Sequence, residues 1–132
     1  MYIVIVSQLK GLNMFLSAKK SHQMEKFLEV CLLMLLRDEI GYGYGLMEQL
    51  ILFGFSEKIL NVSTLYRTLR NMEKELFVTS LWEQGGPGPK RRVYKITAKG
   101  KQELDQWIQI LKVRKAHIEK LIAKYDHQET TE

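Results

Sequence analysis

One cysteine and two prolines in 132 residues set the first limits. A single thiol, Cys31, excludes an intramolecular disulfide and any zinc site built on paired cysteines. It lies in an apolar run, so an inert buried thiol is expected, and a reducing cytoplasm fits. The three histidines, His22, His117 and His127, are too far apart for metal-ligand spacing. No Ser-His-Asp or Cys-His arrangement is legible. Gly85 to Lys90 is glycine-rich but lacks the GK[ST] ending of a phosphate-binding loop. No cofactor is therefore expected, no metal, and no enzyme. Long apolar runs are missing as well. Tyr2 to Val6 and Val30 to Leu36 are too short to span a bilayer, and no secretory layout precedes them, so no membrane role is expected.

The charge that is present is concentrated. Between Asn61 and Gly100 there are eight Lys/Arg and three Glu, an excess of +5, which equals the net charge of the whole chain. Focusing of this kind suits a polyanionic partner, nucleic acid first.

Hydrophobic spacing divides the chain into a short series of elements. Residues 1–22 begin apolar and end basic, and fit either a disordered arm or a segment packing on a second subunit. A helix is expected from Met24 to Arg37, central and buried because Val30 to Leu36 is apolar on every side. Asp38 to Gly43 reads as a turn. A second helix covers Tyr44 to Phe53, ended by Gly54. A third starts near Val62 with Asn61 or Ser63 as cap. Its inner stripe is Leu65, Leu69, Met72 and Leu76; its outer stripe carries Ser63, Thr64, Arg67, Arg70, Asn71 and Lys74. The period then falls from 3.6 to 2. Val78 to Gln84 and Arg91 to Thr97 read as two strands of a hairpin with a basic tip. Thr97 caps a last helix reaching about Tyr125. Along it Leu104, Trp107, Leu111, Arg114, Ile118, Leu121 and Tyr125 recur at spacings of 3 and 4, a heptad seam broken once by Arg114. A seam that long in so small a chain calls for a second copy as its cover. The expected division is an arm at 1–22, a DNA-binding unit at 23–97, a dimerisation helix at 98–125 and a tail at 126–132.

Three helices, a hairpin and a long helix make a mainly α winged helix-turn-helix. In that arrangement the third helix enters a major groove with its N-terminal half leading. Ser63 and Thr64 permit close approach, Arg67 and Arg70 reach phosphates or guanine edges, and Asn71 can read an adenine edge. Lys90, Arg91 and Arg92 on the wing can neutralise phosphates. Tyr44 offers a hydroxyl to the backbone. Tyr66 either does the same or packs on the first helix.

Several short motifs then fall in a familiar order: Gly43-Tyr44-Gly45-Leu46, Ser63-Thr64-Leu65-Tyr66, Met72-Glu73-Lys74-Glu75, and Pro89-Lys90-Arg91-Arg92-Val93-Tyr94-Lys95-Ile96-Thr97-Ala98-Lys99-Gly100. Over about residues 24–125 the chain resembles the PadR-like transcriptional regulators, and its wing looks most like a branch described as polyhydroxybutyrate-responsive repressors. The resemblance implies a homodimer joined through the last helix, an inverted-repeat double-stranded DNA operator, and repression relieved by a signal. It also implies a small-molecule effector near the seam, where Trp107 would serve as dimer core or as a ligand platform. A winged helix that pairs with an acidic protein instead of DNA is the alternative. One position departs from the family pattern. Leu76 stands where a glycine is usual, at the exit of the third helix. A left-handed leucine costs about 1 kcal/mol or more, so a turn of another shape is expected there.

Overall fold

The computed structural model describes the backbone of residues 13–39, 41–56 and 60–131, and the side chains of 26–39, 41–56 and 60–128. In chain order the elements are α1 (Asn13–Asp38), β1 (Gly41–Tyr42), α2 (Gly43–Leu52), α3 (Val62–Lys74), β2 (Val78–Glu83), β3 (Arg91–Ile96) and α4 (Ala98–Thr131). This is the expected winged helix with a long last helix.

Two helix boundaries differ from expectation by more than a residue, and one short strand was not expected. α1 begins at Asn13, eleven residues before Met24. No glycine or proline lies between Asn13 and Asp38, and a nucleated helix extends at little cost through Met, Leu, Ala and Lys. So 13–22 are the first turns of α1, while the earlier part of the expected arm lies outside the described residues. α4 likewise continues past Tyr125 to Thr131 through residues with no helix breaker among them. The expected turn before α2 contains β1, whose Gly41 and Tyr42 pair antiparallel with Tyr94 and Val93 of β3. The sheet order is β1-β3-β2, with β3 central.

The core lies between α1 and the other elements. Leu28, Leu32, Leu33 and Leu36 of α1 meet Leu46 and Leu50 of α2, Leu65, Leu69 and Met72 of α3, and Tyr94 and Ile96 of β3. Burial pushes the Cys31 thiol up to about 11, which keeps it protonated and unreactive at neutral pH. Leu104 of α4 is 0% exposed and belongs to this same core. The expected dimer seam is corrected at that point: Leu104 has no surface left for a partner. Trp107 and Leu111 are half-buried against the protomer, and exposure rises beyond them.

Two helices stop by the same device. After α2, Phe55 N–H donates to Leu50 O and Gly54 N–H to Ile51 O; after α3, Phe77 N–H donates to Met72 O and Leu76 N–H to Glu73 O. Both are Schellman turns, which need a left-handed residue just past the helix. Gly54 supplies it with φ +99°, and Leu76 with φ +65°. The expectation of a differently shaped turn at Leu76 is therefore overturned: the backbone is kept and the leucine carries the cost. Burial of Met72 and Phe77, the apolar pair that closes the motif, holds it in place. The Leu76 side chain is 64% exposed and returns little. Leu76→Gly should therefore raise stability, by about 1 kcal/mol, in urea denaturation. A loss instead would mean that the leucine side chain holds contacts worth more than the strain.

α4 is tied to this turn. Thr97 N–H donates to Phe77 O at 3.0 Å, and Thr97 Oγ1 lies 2.6 Å from Leu76 O and 3.0 Å from Phe77 O. The hydroxyl has one proton for those two carbonyls, and its lone pair accepts from Gly100 N–H at 3.0 Å. Thr97 thus caps α4 as expected while holding the exit of α3. Lys99 Nζ donates to Glu75 O at 2.9 Å, satisfying a carbonyl left over at the end of α3.

Candidate nucleic-acid interface

α3 is anchored at its start by Asn61, whose Oδ1 accepts from Thr64 N–H at 2.8 Å. Of the two expected caps, Asn61 is the one used. At about 100° per residue, Ser63, Arg67, Arg70 and Lys74 share one side of the helix, and all four are exposed. Thr64 is half-buried on the flank, where its carbonyl accepts from the Thr68 hydroxyl at 2.8 Å.

Tyr66 lies across the start of α2. Its ring fills the place a side chain at position 43 would take, with Cε1 2.7 Å from where a Gly43 Cβ would stand. Tyr66 thus packs on the start of α2 and also lines the surface groove. The neighbouring Tyr44 is 76% exposed.

The groove runs between the start of α2, α3 and the wing, with a volume of about 630 Å³. It gathers Tyr44, Tyr66, Arg70, Lys90, Arg91 and Arg92 from three separate stretches of sequence. Ser63, Thr64 and Arg67 lie outside its lining. So does Asn71, turned about 100° from Arg70. Asn71 lines a second cavity, about 550 Å³, together with Lys26, Glu29, Thr68, Glu75, Phe77 and Glu103.

The wing is ordered from within. Gln84 Nε2 donates to Gly86 O and Gly88 O at 3.0 and 2.7 Å, closing the tip. The Arg91 guanidinium sits 4.4 Å above the Tyr42 ring, and that of Arg92 5.2 Å from the Trp82 ring centre. Arg92 Nη2 also lies 3.4 Å from Glu73 Oε2 on α3, and the Ser80 hydroxyl donates to Glu73 Oε1. Sequence reasoning missed Tyr42, Ser80, Glu73 and Trp82. Trp82 was the most accessible of them, because it stands directly opposite Arg92 in the β2–β3 register.

The second cavity is differently charged. Lys26 Nζ is 3.1 Å from Glu29 and 3.7 Å from Glu103, and lies 5.2 Å from the Trp107 ring centre and 5.8 Å from that of Phe77. Burial raises the Glu29 carboxyl above the usual carboxylate range, partly offset by Lys26. Trp107 donates through Nε1 to Glu103 at 2.7 Å and has Arg114 at 5.5 Å from its ring centre. Arg114, which breaks the heptad spacing, thus has a contact within the protomer.

A sequence profile of the transcriptional regulator PadR-like family matches residues 32–106, over half of the chain. The chain belongs to the PadR-like family. A search of curated proteins finds no match. Among solved PadR-like structures, a transcription factor from Bacteroides fragilis is 25% identical with a TM-score of 0.68, covering 79% of this chain and 98% of that one. A PadR-like regulator from Bacillus cereus is 29% identical with a TM-score of 0.66, covering 76% and 96%. The Bacillus subtilis PadR, solved with operator DNA, is 29% identical with a TM-score of 0.55, covering 61% of this chain and 46% of that protein. These PadR-like relatives lend nothing to the polyhydroxybutyrate-responsive branch. Among the described residues no helix is long and apolar enough to cross a membrane.

Proposed function

We propose that this PadR-like protein is a cytoplasmic regulator that binds double-stranded DNA as a homodimer and represses transcription from an inverted-repeat operator. The observation that carries the proposal is the groove itself: Arg70 of α3, Tyr44 of α2 and Lys90 and Arg91 of the wing converge on one concave surface. Such a surface matches a duplex whose phosphates flank the groove being read. The operator complex of the Bacillus subtilis relative supports the same partner.

Residues 23–97 form the DNA-binding unit on this reading. Ser63, Thr64 and Arg67 approach base edges at the front of α3, Arg70 and Tyr66 reach the backbone beside them, and Lys90 and Arg91 hold the flanking phosphates. Two copies pair through α4 beyond the protomer core, where Val113, Leu121, Ile122 and Tyr125 are exposed, Leu121 by 70%. That pairing sets the two α3 helices about 34 Å apart, one turn of DNA. Effector control belongs to the 550 Å³ cavity, because a ligand there would touch α3 and α4 together.

The test is selection of bound duplexes from a random pool at near-physiological salt, run on the wild type, Arg67→Ala and Arg91→Ala. An inverted repeat should emerge for the wild type. Arg67→Ala should relax the preference at particular base pairs, with losses of about 1–3 kcal/mol there. Arg91→Ala should weaken all duplexes alike and flatten the salt dependence. No enrichment at any salt would transfer the proposal to an acidic protein partner.

A further inference from the structure

We infer that Glu73 is a positioning residue that joins the reading helix to the wing and holds Arg92 away from DNA, so that Arg92 makes no phosphate contact. The inference rests on the proposed DNA binding and refines it.

Among the described residues, Glu73 is the sole acidic one lining a groove that otherwise presents Arg70, Lys74, Lys90, Arg91 and Arg92. A carboxylate facing phosphates would weaken DNA binding by repulsion. Its place there calls for a compensating task, and its contacts supply one. One oxygen accepts from the Ser80 hydroxyl of β2 and the other lies 3.4 Å from Arg92 of β3. Glu73 sits on α3, so one side chain touches both strands of the wing from the helix that enters the groove. Arg92 is engaged a second time, against the Trp82 ring opposite it in the sheet. The Trp82 ring and the Glu73 carboxylate thus engage the guanidinium together, although the Arg92 side chain is still 36% exposed.

Arg91, one residue earlier, alternates to the other face of β3, lies over Tyr42 and stays exposed. The two adjacent arginines therefore divide the work. Arg91 is the phosphate contact, and Arg92 is the bolt between wing and helix. The angle between α3 and the wing decides whether both can engage one duplex, so Glu73 bears on operator selectivity without touching a base.

The experiment is the salt dependence of binding to the selected operator, measured by fluorescence anisotropy for the wild type, Arg92→Ala, Glu73→Gln and the double variant. Glutamine can still accept from Ser80 but no longer holds a cation. Arg92→Ala should leave the log-log salt slope unchanged while narrowing the gap between operator and random DNA. Glu73→Gln should release Arg92 to a phosphate and steepen the slope by about 0.9 per protomer. The double variant should return to the wild-type slope, which a merely structural defect would not produce. A shallower slope for Arg92→Ala would overturn the inference, because Arg92 would then be a DNA contact already. A steeper slope that survives in the double variant would also overturn it, as the effect of charge removal alone. Absence of salt-dependent binding by the wild type would instead sink the DNA reading itself.

Discussion

Alanine at Gly100 should cost about 3 kcal/mol of stability, although it replaces a helical glycine with the best helix former. Helix propensity alone predicts a gain of about 1 kcal/mol, so the sign of the result is informative. The reason for the loss is the closeness of the first turn of α4 to the turn after α3. A Cβ on Gly100 would collide with the Phe77 carbonyl oxygen and stand 2.8 Å from Ile96 Cγ1. The carbonyl cannot swing aside, because it accepts from Thr97 N–H and lies within reach of the Thr97 hydroxyl. The variant must therefore shift α4 or break the Thr97 cap. Urea denaturation of Gly100→Ala beside the wild type measures the difference. Equal or greater stability would mean that α4 can move away from Phe77 without loss.

Leu104→Ala has a comparable expected effect, about 3 kcal/mol, through a different cause. Its side chain is fully enclosed by the protomer, and truncation leaves a cavity that surrounding residues fill only in part. The useful contrast is with Leu121, which is largely exposed on the same helix. Sedimentation equilibrium should show Leu121→Ala weakening association, while Leu104→Ala leaves the association constant unchanged and lowers the melting temperature by roughly 10 °C. If Leu104→Ala dissociated the protein without destabilising the protomer, the boundary between core and seam drawn on α4 would be wrong.

That boundary also shows how far the sequence could be read. Among the described residues, periodicity gave the four helices and both wing strands, because burial leaves a mark at every third, fourth or second position. It could not tell which cover each apolar position has. Leu104 and Leu121 occupy the same seam in the sequence, yet one faces its own core and the other does not. β1 was invisible for a related reason: two residues are too few to show an alternation, and pairing with β3 is a tertiary fact. On α3, the exposure of Ser63, Arg67, Arg70 and Lys74 was legible from charge and spacing, while Thr64 is half-buried and Asn71 turns to the second cavity. The pairing of Arg92 with Glu73 was not legible, since they stand nineteen positions apart and only the fold brings them together. Leu76 is the reverse case. The sequence marked it as anomalous, and the anomaly is real, but it lies in strain accepted by the backbone and not in a changed turn.

The knot at Thr97 has a consequence for how operators are measured out. One hydroxyl and one amide join the end of α3, the end of the sheet and the start of α4, with no flexible linker between reading head and arm. Under the dimeric reading the molecule behaves as a caliper whose jaws and handles are one piece. The spacing between half-sites is then written in the arms, at about 1.5 Å and 100° for each residue by which the crossing point of two α4 helices is moved. A related protein could acquire a differently spaced target by moving that crossing alone, leaving every DNA-facing side chain as it is.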